Sequence, residues 1–189
     1  MIFQSIHPYD QSVIAEYPII DGNTLQKRLE SASEAFEEWR TSTMQQRSDL
    51  LKLVAAGLRA KRDDFARLIT LEMGKILSES RAEVEKCALC CDFYAAYAET
   101  YLRDEVLTTD KPPDMRLGKV VYEPLGVIFA IMPWNYPFWQ VFRFAVPSLM
   151  AGNVALLKHA PNVVGCAVAI EKIFVEAASE LGANSRILG

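Results

Sequence analysis

The stretch Gly126-Val127-Ile128-Phe129-Ala130-Ile131-Met132-Pro133-Trp134-Asn135-Tyr136-Pro137 decides the fold. From residue 124 to residue 142 there is no charge, and only Arg143 interrupts the uncharged sequence as far as Leu157, a length that could pass for a membrane span. Pro133, Asn135 and Pro137 would break such a helix at its centre, and the β-branched and aromatic residues before them favour a buried strand. The stretch therefore predicts strand, turn, helix, with no role for a membrane.

Working outward towards the carboxyl end, residues 138–150 read as a helix despite Pro147, Gly152-Asn153 turns the chain, and residues 154–157 read as a short buried strand. Pro161 opens a long amphipathic helix that a glycine, Gly182, can end. Strand, helix, strand, helix with right-handed crossovers builds a parallel sheet, and ligands of such sheets bind outside the carboxyl ends of the strands. Those ends are residues 133–135 and 158–161, and both carry polar side chains.

Towards the amino end the period is helical. Leu25, Leu29, Ala32, Phe36 and Trp39 form an apolar stripe on a charged helix over residues 24–40. Thr43 with Gln46 signals a capping box for a second helix, in which Leu50, Val54 and Leu58, then Phe65, Leu68, Ile69 and Met73, continue one pattern through the polar run 61–64 to Gly74. Ser78 can cap a third helix with Val84, Cys87, Cys91, Ala95, Ala98 and Leu102 on one side. Two prolines and three charges in residues 110–114 then mark a boundary near Pro112, followed by strand-like residues 120–122. The expected class is α/β: a helical amino-terminal segment over residues 1–112, then a partial α/β domain over residues 113–189 that starts a Rossmann-like parallel sheet.

Composition narrows the function. The chain of 189 residues has 20 Lys and Arg against 24 Asp and Glu and is 51% hydrophobic, which is ordinary for a soluble globular protein. A net charge of -4 with scattered cations offers no basic stripe for phosphates, so no nucleic-acid partner is expected. Cys87, Cys90, Cys91 and Cys166 lack zinc spacing, His7 and His159 stand far from the cysteine cluster in sequence, and no metal is expected. Residues 1–10 have no basic start followed by an apolar core, which reads as a cytoplasmic protein.

No G-x-G-x-x-G or Walker-type loop follows either strand, so a conventional dinucleotide or P-loop reading fails on pattern. At the first strand end two prolines fix the backbone around Asn135, whose amide can donate two hydrogen bonds and so suits an oxyanion. The plainer alternative is an asparagine that satisfies its own turn. At the second strand end Lys158 follows four apolar residues, so its ammonium emerges where a ligand would lie; the alternative is a solvated lysine.

Three runs in order, Glu123-Pro124-Leu125-Gly126, Pro133-Trp134-Asn135-Tyr136-Pro137, and Ala151-Gly152-Asn153 leading to Lys158-His159-Ala160-Pro161, resemble the amino-terminal part of the NAD(P)-dependent aldehyde dehydrogenase superfamily. The similarity runs from His7-Pro8 through Leu71-Glu72-Met73-Gly74-Lys75 to about Ala178, and points to the succinate-semialdehyde dehydrogenase-like branch. The resemblance implies an incomplete aldehyde dehydrogenase fold, NAD or NADP as cofactor and a small-molecule aldehyde as substrate. It implies oxidation by a cysteine thiolate that attacks the carbonyl, hydride transfer to the nicotinamide, and release of the acid by water that a glutamate activates.

By that resemblance Asn135 is the oxyanion donor, Lys158 bonds the adenosine ribose, and Met132, Pro133 and Trp134 line the cofactor. Pro161 stands where many NAD-preferring members carry Glu, and the missing carboxylate makes a 2′-phosphate tolerable. Tyr136 and Arg143 would face the substrate, Arg143 reading a distal carboxylate as a lone guanidinium in apolar surroundings; the alternative is an arginine paired with an acidic residue of the helical half. The family's nucleophile and glutamate lie beyond the position of Gly189, none of the four cysteines matches, and residues 179–189 look unlike the usual continuation into another strand. The expectation is a fragment, inactive by itself. The other readings are an assembly module, as a homo-oligomer or with full-length subunits, and a small α/β unit without a ligand.

Overall fold

A computed structural model describes residues 2–107 and 118–189. The chain opens with β1 (Ile2–Ile6) and β2 (Val13–Pro18), an antiparallel pair with an irregularity between Ser5 and Ile6. The sequence reading had made this region helical. The two strands are short and their apolar residues Ile2, Ile6 and Val13 are exposed, so no alternation towards a core marks them.

Four helices follow. α1 (Gly22–Trp39) begins where the Asp21 carboxylate accepts from the Thr24 amide at 2.7 Å. Its buried residues are Ala32, Ala35 and Trp39, while Leu25 and Leu29 stay exposed, so only the carboxyl-terminal half of the expected stripe meets the core. α2 (Met44–Ala60) has the expected Thr43 and Gln46 capping box. The expected single helix up to Gly74 is interrupted at Lys61 (φ -107°, ψ 17°), which ends α2 and starts α3 (Arg62–Met73). Asp63 and Asp64 in the first turn of α3 favour a new positive helix end there.

Gly74, at φ 76°, stops α3 in the left-handed conformation that a glycine adopts without strain. α4 (Leu77–Leu102) starts after Ile76 without a side-chain cap, so Ser78 lies inside the first turn and is not its cap. Val84, Cys87 and Cys91 are fully buried along α4, as small core residues.

β3 (Glu105–Leu107) pairs antiparallel with β4 (Gly118–Val120), which ends where the expected strand 120–122 was to begin. The boundary near Pro112 lies outside the described residues. The α/β unit then runs β5 (Val127–Met132), α5 (Trp139–Met150), β6 (Val154–His159), a 3-10 turn (Pro161–Val163) and α6 (Val164–Leu181), closed by Gly182 at φ 69°.

β5 and β6 are parallel, in register from Val127 opposite Val154 to Met132 opposite His159. The last residues correct a second expectation. Ala155 N–H donates to Ile187 O at 3.0 Å and Gly189 N–H to Ala155 O at 3.1 Å, so residues 187–189 occupy the place of a third parallel strand beside β6. Ile187 and Leu188 are buried; a run of three residues is too short to show a period.

One hydrophobic cluster joins Trp39, Leu50, Leu58, Val84 and Cys87 of the helices to Phe138, Phe142, Val146, Ile170 and Phe174 of the α/β unit. Phe142 stands between Phe138 (6.3 Å between centroids) and Phe174 (5.5 Å). No described helix is long and apolar enough to cross a membrane.

Candidate active-site turn and cofactor edge

The register of β5 and β6 puts their carboxyl ends side by side, with Ile131 opposite Lys158 and Met132 opposite His159. Residues 133–137 leave β5 as a turn, and distant side chains hold it. The His159 ring accepts the Ala160 N–H at Nδ1 (2.8 Å), which leaves the proton on Nε2 to donate to Pro137 O (2.8 Å). Burial lowers the His159 pKa and favours this neutral ring.

Neither Phe138 nor Pro137 can cap α5 by its side chain, and the acceptor arrives from α4. Glu83 Oε1 takes the N–H groups of Phe138 (2.9 Å) and Trp139 (3.0 Å), while Oε2 pairs with the Lys75 ammonium. Lys75 Nζ lies 3.7 Å over the ring of Tyr136, so one ion pair grips both sides of the turn.

A second buried carboxylate repeats the device. Glu72 of α3 accepts from Gly165 N–H and Cys166 N–H, both at 2.8 Å, and from Ser5 Oγ at 2.6 Å, which caps α6 and ties β1 to it. A Cβ on Gly165 would stand 2.8 Å from Glu72 Oε1 and from the Tyr17 hydroxyl, so the close approach needs glycine there. Asn153 Oδ1 accepts from Leu125 N–H (2.6 Å) and Gly126 N–H (3.1 Å), binding together two of the runs that carry the family resemblance.

With the turn held from outside, Asn135 is exposed and its amide bonds no described residue. Asn135 is not the fastener of its own turn. Pro133, Trp134 and Tyr136 are exposed beside it, and Met132 is half-buried. Lys158 projects from β6 with no described ion-pair partner, and Pro161, exposed at the first position of the 3-10 turn, brings no carboxylate towards it.

The apolar surroundings expected for Arg143 are corrected. Val141, Phe142, Ala145 and Val146 turn inward while Arg143 faces out, because adjacent helix residues point about 100° apart. It has no acidic partner among the described residues.

Sequence reasoning missed Glu83 as a fastener, and also Glu72, Lys75 and His159 although all three sit in quoted runs. The available signal was the uncapped start of α5 after Pro137, which demands an acceptor from elsewhere. The edge at Lys158 could hold a group rich in hydroxyls or negative charge, because a cation with no described ion-pair partner meets no carboxylate there. The helix N-termini where a phosphate would usually sit are taken by Glu83 and Glu72. The four thiols are poor nucleophiles: Cys87, Cys91 and Cys166 are fully buried, and burial is the main cause raising the pKa of all four.

Comparison with protein families matches residues 1–189 to the aldehyde dehydrogenase family. The chain is 47% identical over 188 residues to a Synechocystis sp. protein named probable succinate-semialdehyde dehydrogenase (NADP+), covering 100% of this chain and 40% of that one. It is 40% identical over 173 residues to an Escherichia coli succinate semialdehyde dehydrogenase (NAD(P)+), covering 92% and 37%. The crystal structure of a Streptococcus pyogenes succinic semialdehyde dehydrogenase with NADP+ superposes with a TM-score of 0.90 at 32% identity, covering 98% of this chain and 39% of that one. The chain thus spans about 40% of the length of the relatives it matches.

Proposed function

This chain belongs to the aldehyde dehydrogenase family, and from that premise we propose that it forms the amino-terminal part of an NAD(P)-dependent dehydrogenase, NADP the better fit, that oxidises succinate semialdehyde or a similar acid-bearing aldehyde. The observation that carries the reading is the Asn135 turn: an externally fastened strand end that presents an amide with no described partner, next to the strand end that carries Lys158, which has no described ion-pair partner. A donor carried on a backbone held in place before the reaction needs less reorganisation when the carbonyl oxygen becomes an oxyanion. Asn135 supplies that hydrogen bond. Lys158 holds the ribose hydroxyls, Met132, Pro133 and Trp134 form the wall beside the cofactor, and Pro161 leaves room for a 2′-phosphate. The bound cofactor supplies a hydride acceptor. Tyr136 of the turn and Arg143 of α5 receive the distal end of the substrate. Burial raises the pKa of all four thiols and hides three of them from solvent, so the 189 residues alone are expected to turn over no aldehyde.

The test joins residues 1–189 to the remaining length of the Synechocystis relative and compares Arg143→Ala with the parent on succinate semialdehyde and butanal. The expected result is a loss of about 2 kcal/mol, roughly thirtyfold in kcat/KM, on the acid and little change on butanal. Asn135→Ala should instead reduce kcat on both substrates by a hundredfold or so. An Arg143 effect of equal size on both aldehydes would show that the guanidinium is structural.

A further inference from the structure

Two exposed cations, Lys86 and Arg143, lie near the start of α5, the helix that follows the Asn135 turn. Lys86 of α4 places Nζ 4.0 Å over the ring of Trp139, and Arg143 follows Trp139 by one helical turn, where side chains are neighbours. Most cations nearby are already used: Arg59 binds Glu85 and Asp92, Arg81 binds Asp63, and Lys75 binds Glu83. Lys86 and Arg143 have no acidic partner among the described residues. Of the positions three and four residues from Lys86, where side chains on a helix meet, only Glu83 is acidic, and it is committed to Lys75 and to the Phe138 and Trp139 amides; Ala82, Leu89 and Cys90 fill the others, and the adjacent Glu85 pairs with Arg59. An indole face orients an ammonium without neutralising it, whereas a carboxylate would cancel its charge. Lys86 is therefore oriented, exposed and still positive.

We propose that Lys86 is a specificity-determining residue of the candidate site, bracketing with Arg143 the carboxylate of the acid-bearing aldehyde, with Trp139 as the platform between them. This rests on the acid-bearing aldehyde reading above and adds a second cation to it. Arg143 offers a planar fork for two oxygens; Lys86 adds a point charge from the neighbouring helix. The two cations also raise the local concentration of an anionic substrate over a neutral one.

The test is a nuclear magnetic resonance titration of the isotopically labelled 189-residue chain with succinate semialdehyde and with butanal, following the Trp139 indole N–H. Succinate semialdehyde is expected to shift that signal, in a manner weakened by added salt, and butanal is not. Lys86→Met, which keeps an apolar stem, should weaken succinate semialdehyde binding about fivefold, and Lys86→Arg should restore it. If Lys86→Met binds like the parent while Arg143→Met is weakened, the role of Lys86 is overturned and the acid-bearing aldehyde reading stands. If the parent shows no shift that depends on the carboxylate, both are overturned.

Discussion

His159 donates to Pro137 O through Nε2 and accepts from Ala160 N–H through Nδ1, and only the neutral ring can do both. Burial holds its pKa below the 6.5 of a free imidazole, so the unfolded chain takes up the proton first. Above that value both states are neutral and the residue adds no pH dependence. Below it, stability is lost as protonation favours the unfolded chain. The urea midpoint is expected to fall between about pH 7 and about pH 5.5, and to fall less in His159→Gln, whose amide can still donate to Pro137 O. Equal falls in parent and variant would assign the slope to another group. At this scale the exposed strand-end positions of Asn135 and Lys158 were legible because a polar residue at the end of an apolar strand is a local signal. His159 and Glu83 were not, since their partners lie 22 and 55 residues away and no spacing rule connects them.

The elements that carry the site are held at their ends by other elements. α5 is fastened at its start by Glu83 of α4, and at its finish by the Trp39 indole N–H to Leu149 O (2.9 Å) and by Arg47 Nη1 to Met150 O (2.9 Å). Removing the Glu83 carboxylate leaves two amides at the α5 start without an acceptor and an ammonium without its anion. Glu83→Ala is expected to cost about 2–4 kcal/mol in urea unfolding, against at most about 0.5 kcal/mol for Glu79→Ala, an exposed first-turn residue of the same helix. Similar costs for the two would mean that the amides find water or another acceptor. Helix ends written in neighbouring residues were readable: Thr43 with Gln46, Gly74 and Gly182 all stand where the sequence put them. The break at Lys61, the β1 and β2 hairpin and the strand position of residues 187–189 were not, because each is set by what packs against it and carries little periodicity of its own.

Over the whole molecule the division into a helical segment 1–112 and an α/β domain 113–189 meets a single core. The faces of α2 and α4 that bury Leu50, Leu51, Val54, Leu58, Val84 and Cys87 belong to the same cluster as Phe138, Phe142 and Phe174 across the proposed boundary. Burying each large apolar side chain is worth about 1.5–3 kcal/mol, while the net stability of a domain is only about 5–15 kcal/mol. Neither part can lose a handful of these contacts and keep a margin. Separation would also remove the Arg47 bond to Met150 O and would free both carboxylate caps, Glu83 and Glu72. The intact chain is therefore expected to unfold in one transition, coincident by far-ultraviolet dichroism and by tryptophan fluorescence, because Trp39 of α1 reports on its contact with α5. Residues 1–112 expressed alone should show helical signal without a cooperative melt. A sharp, independent transition in that piece would establish the helical segment as a domain in its own right and would show that the shared core is not what holds the two parts together.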